Sequence, residues 1–326
     1  MANHPYSTDE AWREIRSRHV GASESAALFG LSPWVTPWQL WHIKVGNLPA
    51  ADLDGDAAVQ QGVHFEPAVA SYAQAKFGIT LRKVRRYITD DTTAGMGASL
   101  DYEQIGTGSL IPTEIKWSVQ WGAWDWEGDV ITQAPDHYLL QCQHQMACMG
   151  AAQANLYAFV GGDLKRLTVE RNEIIVGAIR QRVRAFWESI AAGQEPEPDL
   201  KADAEAINDL ATIRPLAALD GDAEMERLAR RRMRAQALIK KLEGMADEAR
   251  SAILLRLMAE ATKKSAQPNQ SIVCAAGKYR ITSSYVSGTE GKMVTPEMVG
   301  TRIGARGAYR ALRVTEPKKK EGKSNG

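Results

Sequence analysis

GASLDYEQIGTGSLIPTEIKW, residues 97–117, is the stretch that decides the fold. Two runs of alternating apolar and polar side chains flank a glycine-containing segment, which predicts two antiparallel strands joined by a turn. Pairing of these strands brings Asp101 on the first close to Glu114 on the second. Because side chains alternate along a strand, Glu114 and Lys116 lie on the same face.

Two carboxylates and a lysine at one place indicate metal-dependent hydrolysis of a phosphodiester. Mg²⁺ prefers oxygen ligands and keeps part of its water shell, so Asp101, Glu114 and the backbone carbonyl of Ile115 suit it, with Mn²⁺ as the alternative. The ammonium of Lys116 would position the attacking water and offset charge on the phosphate. An acid followed by Glu-X-Lys is also common on solvated strands, so the neighbouring residues decide between these interpretations.

Polar residues inside otherwise apolar helices favour a site. Glu66 lies in the middle of a predicted helix over residues 58–78. In a second predicted helix, over residues 136–150, Gln141 and Gln145 are one turn apart and share a face. Buried polar groups need hydrogen-bond partners, so glutamines whose flanks resemble core residues indicate an internal partner rather than a plain surface.

Predicted helices and strands alternate through the first two hundred residues. Ser23 stands where the N-cap of a short helix is expected, and Gly30 ends that helix. Strands are predicted within residues 79–117 and in the apolar run at 155–162. The predicted helices cover residues 8–18, 23–29, 37–46, 58–78, 136–150 and 173–191.

Residues 202–266 differ from what precedes them, because they are rich in Ala, Leu, Glu, Lys and Arg and contain no Trp, Tyr or Phe. Their apolar spacing predicts one long helix or a hairpin bent near Gly244. The arginines within residues 227–234 form either a solvated face or a phosphate-binding strip. Residues 271–286 predict a β-hairpin, and YRALRV, residues 309–314, predicts a last strand.

Composition is that of a globular chain: 326 residues, 44% hydrophobic, 24% charged and a net charge of +1. Near-neutrality argues weakly against nucleic-acid binding but leaves room for local basic patches. Three cysteines fall short of the four thiolates of an iron–sulfur cluster or a four-cysteine zinc site. No apolar run approaches the length of a membrane span and the start lacks a signal-peptide core, so the expected location is the cytoplasm.

Five blocks of sequence resemble the YqaJ-type viral recombinase family and, more distantly, lambda exonuclease, which are nucleases of the PD-(D/E)XK type. The resemblance covers about residues 10–190, with the blocks in the order of the family. The blocks are REIRSRHVGASESAALFGLSPWVTPWQLW (13–41), GVHFEPAVASYAQAKFG (62–78), GASLDY (97–102), TEIKW (113–117) and PDHYLLQCQHQMACMG (135–150).

The resemblance implies an α/β (α+β) fold: a restriction-endonuclease-like PD-(D/E)XK core whose central mixed β-sheet is flanked by helices, with a C-terminal helical hairpin and a small β segment. The expected parts are an exonuclease domain at residues 1–200, a coiled-coil-like helical region at 201–268, a small β-hairpin segment at 269–316 and a disordered charged tail at 317–326.

The resemblance also assigns roles to individual residues. Asp101, Glu114 and the Ile115 carbonyl would bind the metal, and Lys116 would be the catalytic lysine. The remaining roles are a helix acid that assists the metal (Glu66), a glutamine near the nucleophilic water (Gln141), a serine on the DNA phosphate (Ser23) and an upstream arginine, either Arg16 or Arg18.

The implied activity is a magnesium-dependent deoxyribonuclease that resects double-stranded DNA ends, 5′ to 3′, for phage-type recombination by single-strand annealing. Its expected partners are the DNA ends, a single-strand annealing protein of the RecT or Red-beta type and further copies of the chain in a ring. A phage or prophage origin in a bacterial host cell is expected. Two alternatives stay open: a DNA-end-binding or recruitment module with a nuclease fold, and a related endonuclease.

A tryptophan-rich segment separates the Glu-X-Lys motif from the glutamine helix. Its members, Trp117, Trp121, Trp124 and Trp126, form either a base-stacking platform or aromatic core.

Overall fold

The computed structural model describes residues 2–50, 56–106, 108–118, 122–263, 271–286 and 309–315. The chain forms two compact units, Met1–Ala217 and Ala218–Gly326. Among the described residues, no helix combines the length and apolarity that crossing a membrane requires.

The helices of the first unit are α1 (Asp9–Ser17), a 3₁₀ helix (Ala22–Phe29), α2 (Pro37–Lys44), α3 (Ala57–Phe77), α4 (Asp136–Met149), α5 (Glu173–Ala191) and α6 (Ala204–Ile213). Its strands are β1 (Ala2–Pro5), β2 (Thr80–Lys83), β3 (Arg86–Thr89), β4 (Gly97–Ser99), β5 (Tyr102–Ile105), β6 (Ile111–Trp117), β7 (Asp125–Glu127), β8 (Val130–Gln133), β9 (Gln153–Val160) and β10 (Asp163–Glu170). The second unit holds α7 (Ala223–Lys263), β11 (Ile272–Ala276), β12 (Tyr279–Val286) and β13 (Tyr309–Thr315).

A mixed seven-stranded sheet, in the order β2-β5-β6-β9-β10-β8-β7, is the centre of the first unit. The pairs β6–β9 and β10–β8 are parallel, and the other neighbours are antiparallel. Helices flank this sheet, which confirms the predicted mixed α/β class. β7, β8 and β10 are absent from the predicted strands.

The two faces of the central sheet pack against different helices. On one face, Val69 and Ala73 of α3 pack with Ile115 of β6. On the other, Cys142 and Met146 of α4 pack with strand residues of β9. Since alternate residues of a strand point to opposite faces, the neighbours of Ile115 on β6 point toward α4.

A smaller sheet, β1-β3-β4, contains two of the strands that lie within residues 79–117. β2 and β3 belong to different sheets, and so do β4 and β5. The chain therefore bends at Val84–Arg85 and again at Leu100–Asp101, where a single continuous strand was the expectation. Both bends lie between short strands of four residues or fewer.

The structure corrects one expectation about helices and decides between two alternatives for another. The 3₁₀ helix begins with Gly21 as N-cap, and the first-turn acid Glu24 accepts from the Gly21 N–H, so Ser23 is not the cap. Of the two alternatives for residues 202–266, the structure shows no bend near Gly244, since α7 continues through it.

The first unit extends to Ala217, beyond the predicted boundary at residue 200. The reason is α6, whose Leu210 is buried with Trp38 and Leu48. In the second unit, β11 and β12 form the predicted hairpin around Gly277 and β13 is the predicted last strand. The predicted charged tail, 317–326, lies outside the described residues.

Candidate active site

Asp101 lies at the bend between β4 and β5, beside the middle of β6. Its side-chain Oδ2 accepts a hydrogen bond from the backbone N–H of Ile115 at 3.1 Å. Asp101 therefore lies beside the strand of Glu114 as predicted, but at a bend rather than within a continuous strand. From this bend the Asp101 carboxylate reaches the backbone of the next strand.

Glu114 is 1% exposed, and α4 holds both of its carboxylate oxygens. Gln141 Nε2 donates to Oε1 at 2.6 Å, and Gln145 Nε2 donates to Oε2 at 2.6 Å. The two glutamines are one helical turn apart, so they reach the strand side by side. A buried carboxylate that accepts two hydrogen bonds is fixed in position, which a binding or catalytic group requires.

Lys116 forms an ion pair with Glu114, and its Nζ lies 4.9 Å from the ring centroid of Tyr138. Burial disfavours the charged ammonium, but the carboxylates of Glu114 and Asp101 outweigh burial and raise the pKa of Lys116. Lys116 is therefore a fixed positive charge at the site.

Asp101 shows the opposite balance. Burial, then the charge of Glu114, raise the pKa of its carboxyl group, and Lys116 offsets this only in part. The charge of Glu66 on α3 also raises the pKa of Asp101, so Glu66 lies close enough to act on it electrostatically. Glu66 itself forms an ion pair with Lys83 of β2. The charges of both other predicted acids, Glu114 and Glu66, therefore act on Asp101.

The magnesium ligand set expected from the sequence, Asp101, Glu114 and the Ile115 carbonyl, stays a prediction. Among the described residues, no group of three or more His, Cys, Asp or Glu side chains is placed to hold a metal ion. Mg²⁺ uses one or two carboxylates and keeps several waters. Burial and then the charge of Glu114 raise the pKa of Asp101, and a divalent cation bound there would lower it.

The arginine beside Ser23 is Arg16. Its guanidinium donates to Ser23 Oγ at 3.1 Å and lies 3.4 Å from Glu24, which also pairs with Lys44 at 2.8 Å. Arg18 instead pairs with Glu14 on the surface, at 2.8 Å. Of the two alternatives that the sequence left open, only Arg16 contacts the serine.

One chain of contacts links this arginine–serine pair to the carboxylates. The Arg16 guanidinium lies 5.0 Å from the ring centroid of Trp12, and Trp12 Nε1 donates to Ser99 Oγ at 2.7 Å. Ser99 precedes Asp101 by two residues, and Gln145 Nε2 lies 3.5 Å from its carbonyl oxygen. Arg16 and Ser23 therefore flank the same site.

The tryptophan-rich segment packs as aromatic core where the structure describes it. Trp124 is 5% exposed. Trp117 stacks with Phe65, at a centroid distance of 4.3 Å, and with Phe159, at 4.9 Å, so protein rings already occupy its surface. Trp121 lies outside the described residues.

With this geometry established, comparison with known proteins identifies the region. Residues 11–152 match the model of the YqaJ-like viral recombinase domain. This stretch is therefore similar to that domain. The resemblance inferred from the five sequence blocks is thereby confirmed. The YqaJ-like domain contains every residue discussed above as part of the site.

One curated relative is the uncharacterized protein YqaJ of Bacillus subtilis (strain 168), 26% identical over 207 residues. The match covers 62% of this chain and 63% of that protein. The chain therefore spans less than two thirds of the relative's length.

Among solved structures, LHK-Exo in complex with dAMP has a TM-score of 0.46 at 21% identity, covering 62% of this chain and 99% of that one. The alkaline exonuclease LHK-Exo from Laribacter hongkongensis has a TM-score of 0.45 at 24% identity, with coverage of 61% and 100%. A phage-related exonuclease from Haemophilus somnus 129PT has a TM-score of 0.40 at 12% identity, with coverage of 54% and 96%.

Two residues of the YqaJ-like domain join the site without having been assigned a role from sequence. Gln145 holds the second oxygen of Glu114, and Tyr138 places its ring against Lys116. The signal for both was their position: residues 138, 141 and 145 share one face of a helix, three or four residues apart. Spacing alone does not say which strand that face meets.

Proposed function

We propose that the protein is a metal-dependent DNA exonuclease that hydrolyses phosphodiester bonds at double-stranded DNA ends. The observation that carries the proposal is Glu114: a buried carboxylate held on both oxygens by α4 and paired with Lys116. Burying charge is costly unless hydrogen bonds and an opposite charge compensate it. A fold that pays this cost next to a second acid, Asp101, is organised for chemistry.

The side chains have separate tasks in this proposal. Asp101, Glu114 and the Ile115 carbonyl would hold Mg²⁺ (or Mn²⁺), with Glu66 assisting from α3. The bound cation would supply Lewis-acid stabilisation of the charge on the scissile phosphate. Gln141 fixes Glu114 and would also hydrogen-bond the attacking water.

Lys116 and Arg16 supply the positive charge. Lys116 stays protonated because two carboxylates raise its pKa. Its ammonium would orient the water and offset the charge that develops on the phosphate oxygens. Arg16 and Ser23, in contact with each other, would bind a neighbouring phosphate, since guanidinium and hydroxyl groups both donate to phosphate oxygens.

The biological setting proposed here follows the YqaJ-like viral recombinase domain. The enzyme would resect 5′ to 3′ and leave a 3′ strand for a single-strand annealing protein of the RecT or Red-beta type. Further copies of the chain would assemble into a ring around DNA.

Digestion of linear and closed-circular duplex DNA with Mg²⁺ tests the proposal. The wild type is compared with Lys116→Ala, with an EDTA arm and with Lys201→Ala, an exposed lysine of the first unit, as the matched control. We expect the linear DNA alone to be degraded, with activity lost in Lys116→Ala and EDTA and kept in Lys201→Ala.

Other outcomes assign the protein to another class. Cleavage of the closed circle would show an endonuclease. Retention of DNA ends without cleavage, in a shift assay with the same DNA, would show an end-binding module.

A further inference from the structure

Trp34 presents its indole ring to solvent from a fixed turn. The side chain is 65% exposed, although burying an aromatic ring is favourable. Ser32 Oγ accepts from the backbone N–H groups of Trp34 and Val35, both at 3.2 Å, and Val35 packs against the core of the first unit. The turn is therefore held on both sides of the exposed ring.

The ring belongs to a row of aromatic side chains that ends at Lys116. Trp34 stands edge-on to His137, with centroids 4.8 Å apart and planes at 82°. Its centroid is 6.4 Å from that of Tyr138, and Tyr138 carries the Lys116 ammonium against its ring at 4.9 Å. Three rings thus run from solvent to the lysine of the candidate site.

This row of rings carries no charge at neutral pH. Burial, and then the positive charge of Lys116, lower the pKa of His137, so its imidazole is neutral. Burial raises the pKa of the Tyr138 phenol, so it also stays neutral. Beside a region of charged groups that suits phosphate, an uncharged aromatic surface suits a base.

We propose that Trp34, together with His137 and Tyr138, forms a base-stacking subsite. Its ligand is a nucleobase of the DNA strand whose phosphodiester lies at Lys116, taken by its ring face. This inference rests on the proposed function, because it takes DNA as the polymer at the site. Every base offers a π-face, so the subsite accepts all four bases. Unlike Trp117, whose ring stacks with Phe65 and Phe159, Trp34 has a face to offer.

The test measures duplex-end binding in EDTA and steady-state cleavage in Mg²⁺ for Trp34→Ala, Trp34→Phe and Leu31→Ala. Leu31 is the matched control, since it is 46% exposed and three residues away. We expect Trp34→Ala to raise Kd and KM about ten-fold, the order of one base–aromatic stack, with kcat within about three-fold. Trp34→Phe should recover most of the loss and Leu31→Ala should show none.

Abasic DNA gives a readout that a merely structural role would not move. Duplexes with a single abasic nucleotide, placed in turn at each of the terminal positions, are bound to wild type and to Trp34→Ala. At one abasic position, the affinity of the wild type should fall by the factor that Trp34→Ala causes on intact DNA. The affinity of Trp34→Ala itself should not fall further at that position. Additive losses at every position, or unchanged binding by Trp34→Ala, would overturn the subsite.

The outcomes separate this proposal from the one on which it rests. A wild type that cleaves DNA while Trp34→Ala behaves identically overturns only the stacking subsite. A wild type that binds ends without cleaving overturns the nuclease, while a matching Trp34–abasic pair still supports the subsite. A wild type that neither binds nor cleaves overturns both.

Discussion

α4 and α7 show opposite relations between side-chain polarity and burial. Ten successive residues of α4, Leu140–Met149, are buried, and four of them are glutamine or histidine. α7 is exposed over almost its whole length, including Leu238, Leu242 and Met245, which are each more than half exposed. A side chain's own polarity therefore does not decide whether it is buried; the surfaces around its helix do.

α4 is buried because it packs on two sides. Cys142 and Met146 face the central sheet, while Leu140 and Cys148 face the core formed with α5 and the 3₁₀ helix. Its polar side chains are consequently enclosed and each has a partner. Gln141 and Gln145 bind Glu114, Gln143 binds Glu170 and Asn172, and His144 binds Gly97.

Two ion pairs near the start of α7, in contrast, are local. Arg227 pairs with Glu224 and Arg230 with Glu226, one turn away on the same helix. Such exposed pairs contribute little to the stability of the fold, because solvent screens them. The polar groups of α4 thus contact the candidate site and the core, whereas these polar groups of α7 face solvent. The following substitutions test this difference.

The largest effect is expected at the carboxylate that α4 encloses. Glu114→Gln removes the charge from a group held by Gln141 and Gln145, and we expect cleavage to fall about 10³-fold, the scale of losing a preorganised electrostatic contact. Glu127→Gln, an exposed carboxylate on β7, is the matched control and should cleave like the wild type. Single-turnover cleavage of linear duplex DNA measures both. Equal losses in the two variants would count against a special role for Glu114.

Matched methionines test the burial difference itself. Met146 of α4 is fully buried, so Met146→Ala should cost about 2–5 kcal/mol of unfolding free energy. Met245 of α7 is 56% exposed, so Met245→Ala should cost less than about 0.5 kcal/mol. Urea unfolding followed by circular dichroism measures both. A large loss in Met245→Ala would show that α7 is packed against something in solution.

Because His144 of α4 is buried, the free energy of unfolding should depend on pH. Burial lowers the pKa of His144 from 6.5 to about 4. Between these two pKa values the unfolded chain is protonated at His144 and the folded chain is not. The stability that neutral His144 contributes is therefore complete above about pH 6.5 and is lost as the pH falls toward 4. The loss reaches at most about 3 kcal/mol.

Urea unfolding between pH 4 and 7 checks the His144 prediction. The slope of stability against pH should be shallower in His144→Asn than in the wild type, whatever the absolute stability of the variant. His64→Asn, at an exposed position of α3, is the control for replacing a histidine outside the core. Identical slopes in all three proteins would contradict the predicted protonation state.

Sequence patterns predicted the features that interactions between residues near in sequence determine. α1, α2, α3, α4 and α5 were all expected near their observed bounds, because caps, glycines and apolar spacing mark them. Glu114 and Lys116 were expected on one face because strands alternate. The bend at Asp101 was not predicted, since which sheet β4 and β5 each join depends on partners far along the chain.

The partner of α4's glutamines was also beyond sequence reasoning. Gln141, Gln143 and Gln145 are alike in the sequence, yet two bind Glu114 and the third binds backbone groups near the start of α5. Helical periodicity separates 143 from the pair 141 and 145 by about 160–200° around the axis. It does not tell which side of the helix meets β6, because that depends on the packing of the whole domain.

The smallest and most discriminating prediction uses this difference between glutamines. Gln145→Leu and Gln143→Leu each remove a buried amide and leave its partner unpaired, so both should destabilise the fold by about 1–3 kcal/mol. Only Gln145→Leu releases an oxygen of Glu114, so only it should lower kcat, by about 10–100-fold as for other residues that orient a metal ligand.

The unfolding free energy and kcat are compared at a temperature where both variants remain folded. Gln145→Asn and Gln145→Glu provide a graded series, because a shorter amide and a like charge should each hold Glu114 less well than glutamine does. If Gln143→Leu lowers kcat as much as Gln145→Leu, stability alone explains the losses and Gln145 has no positioning role. If kcat falls only along the Gln145 series, α4 positions the carboxylate as well as burying it.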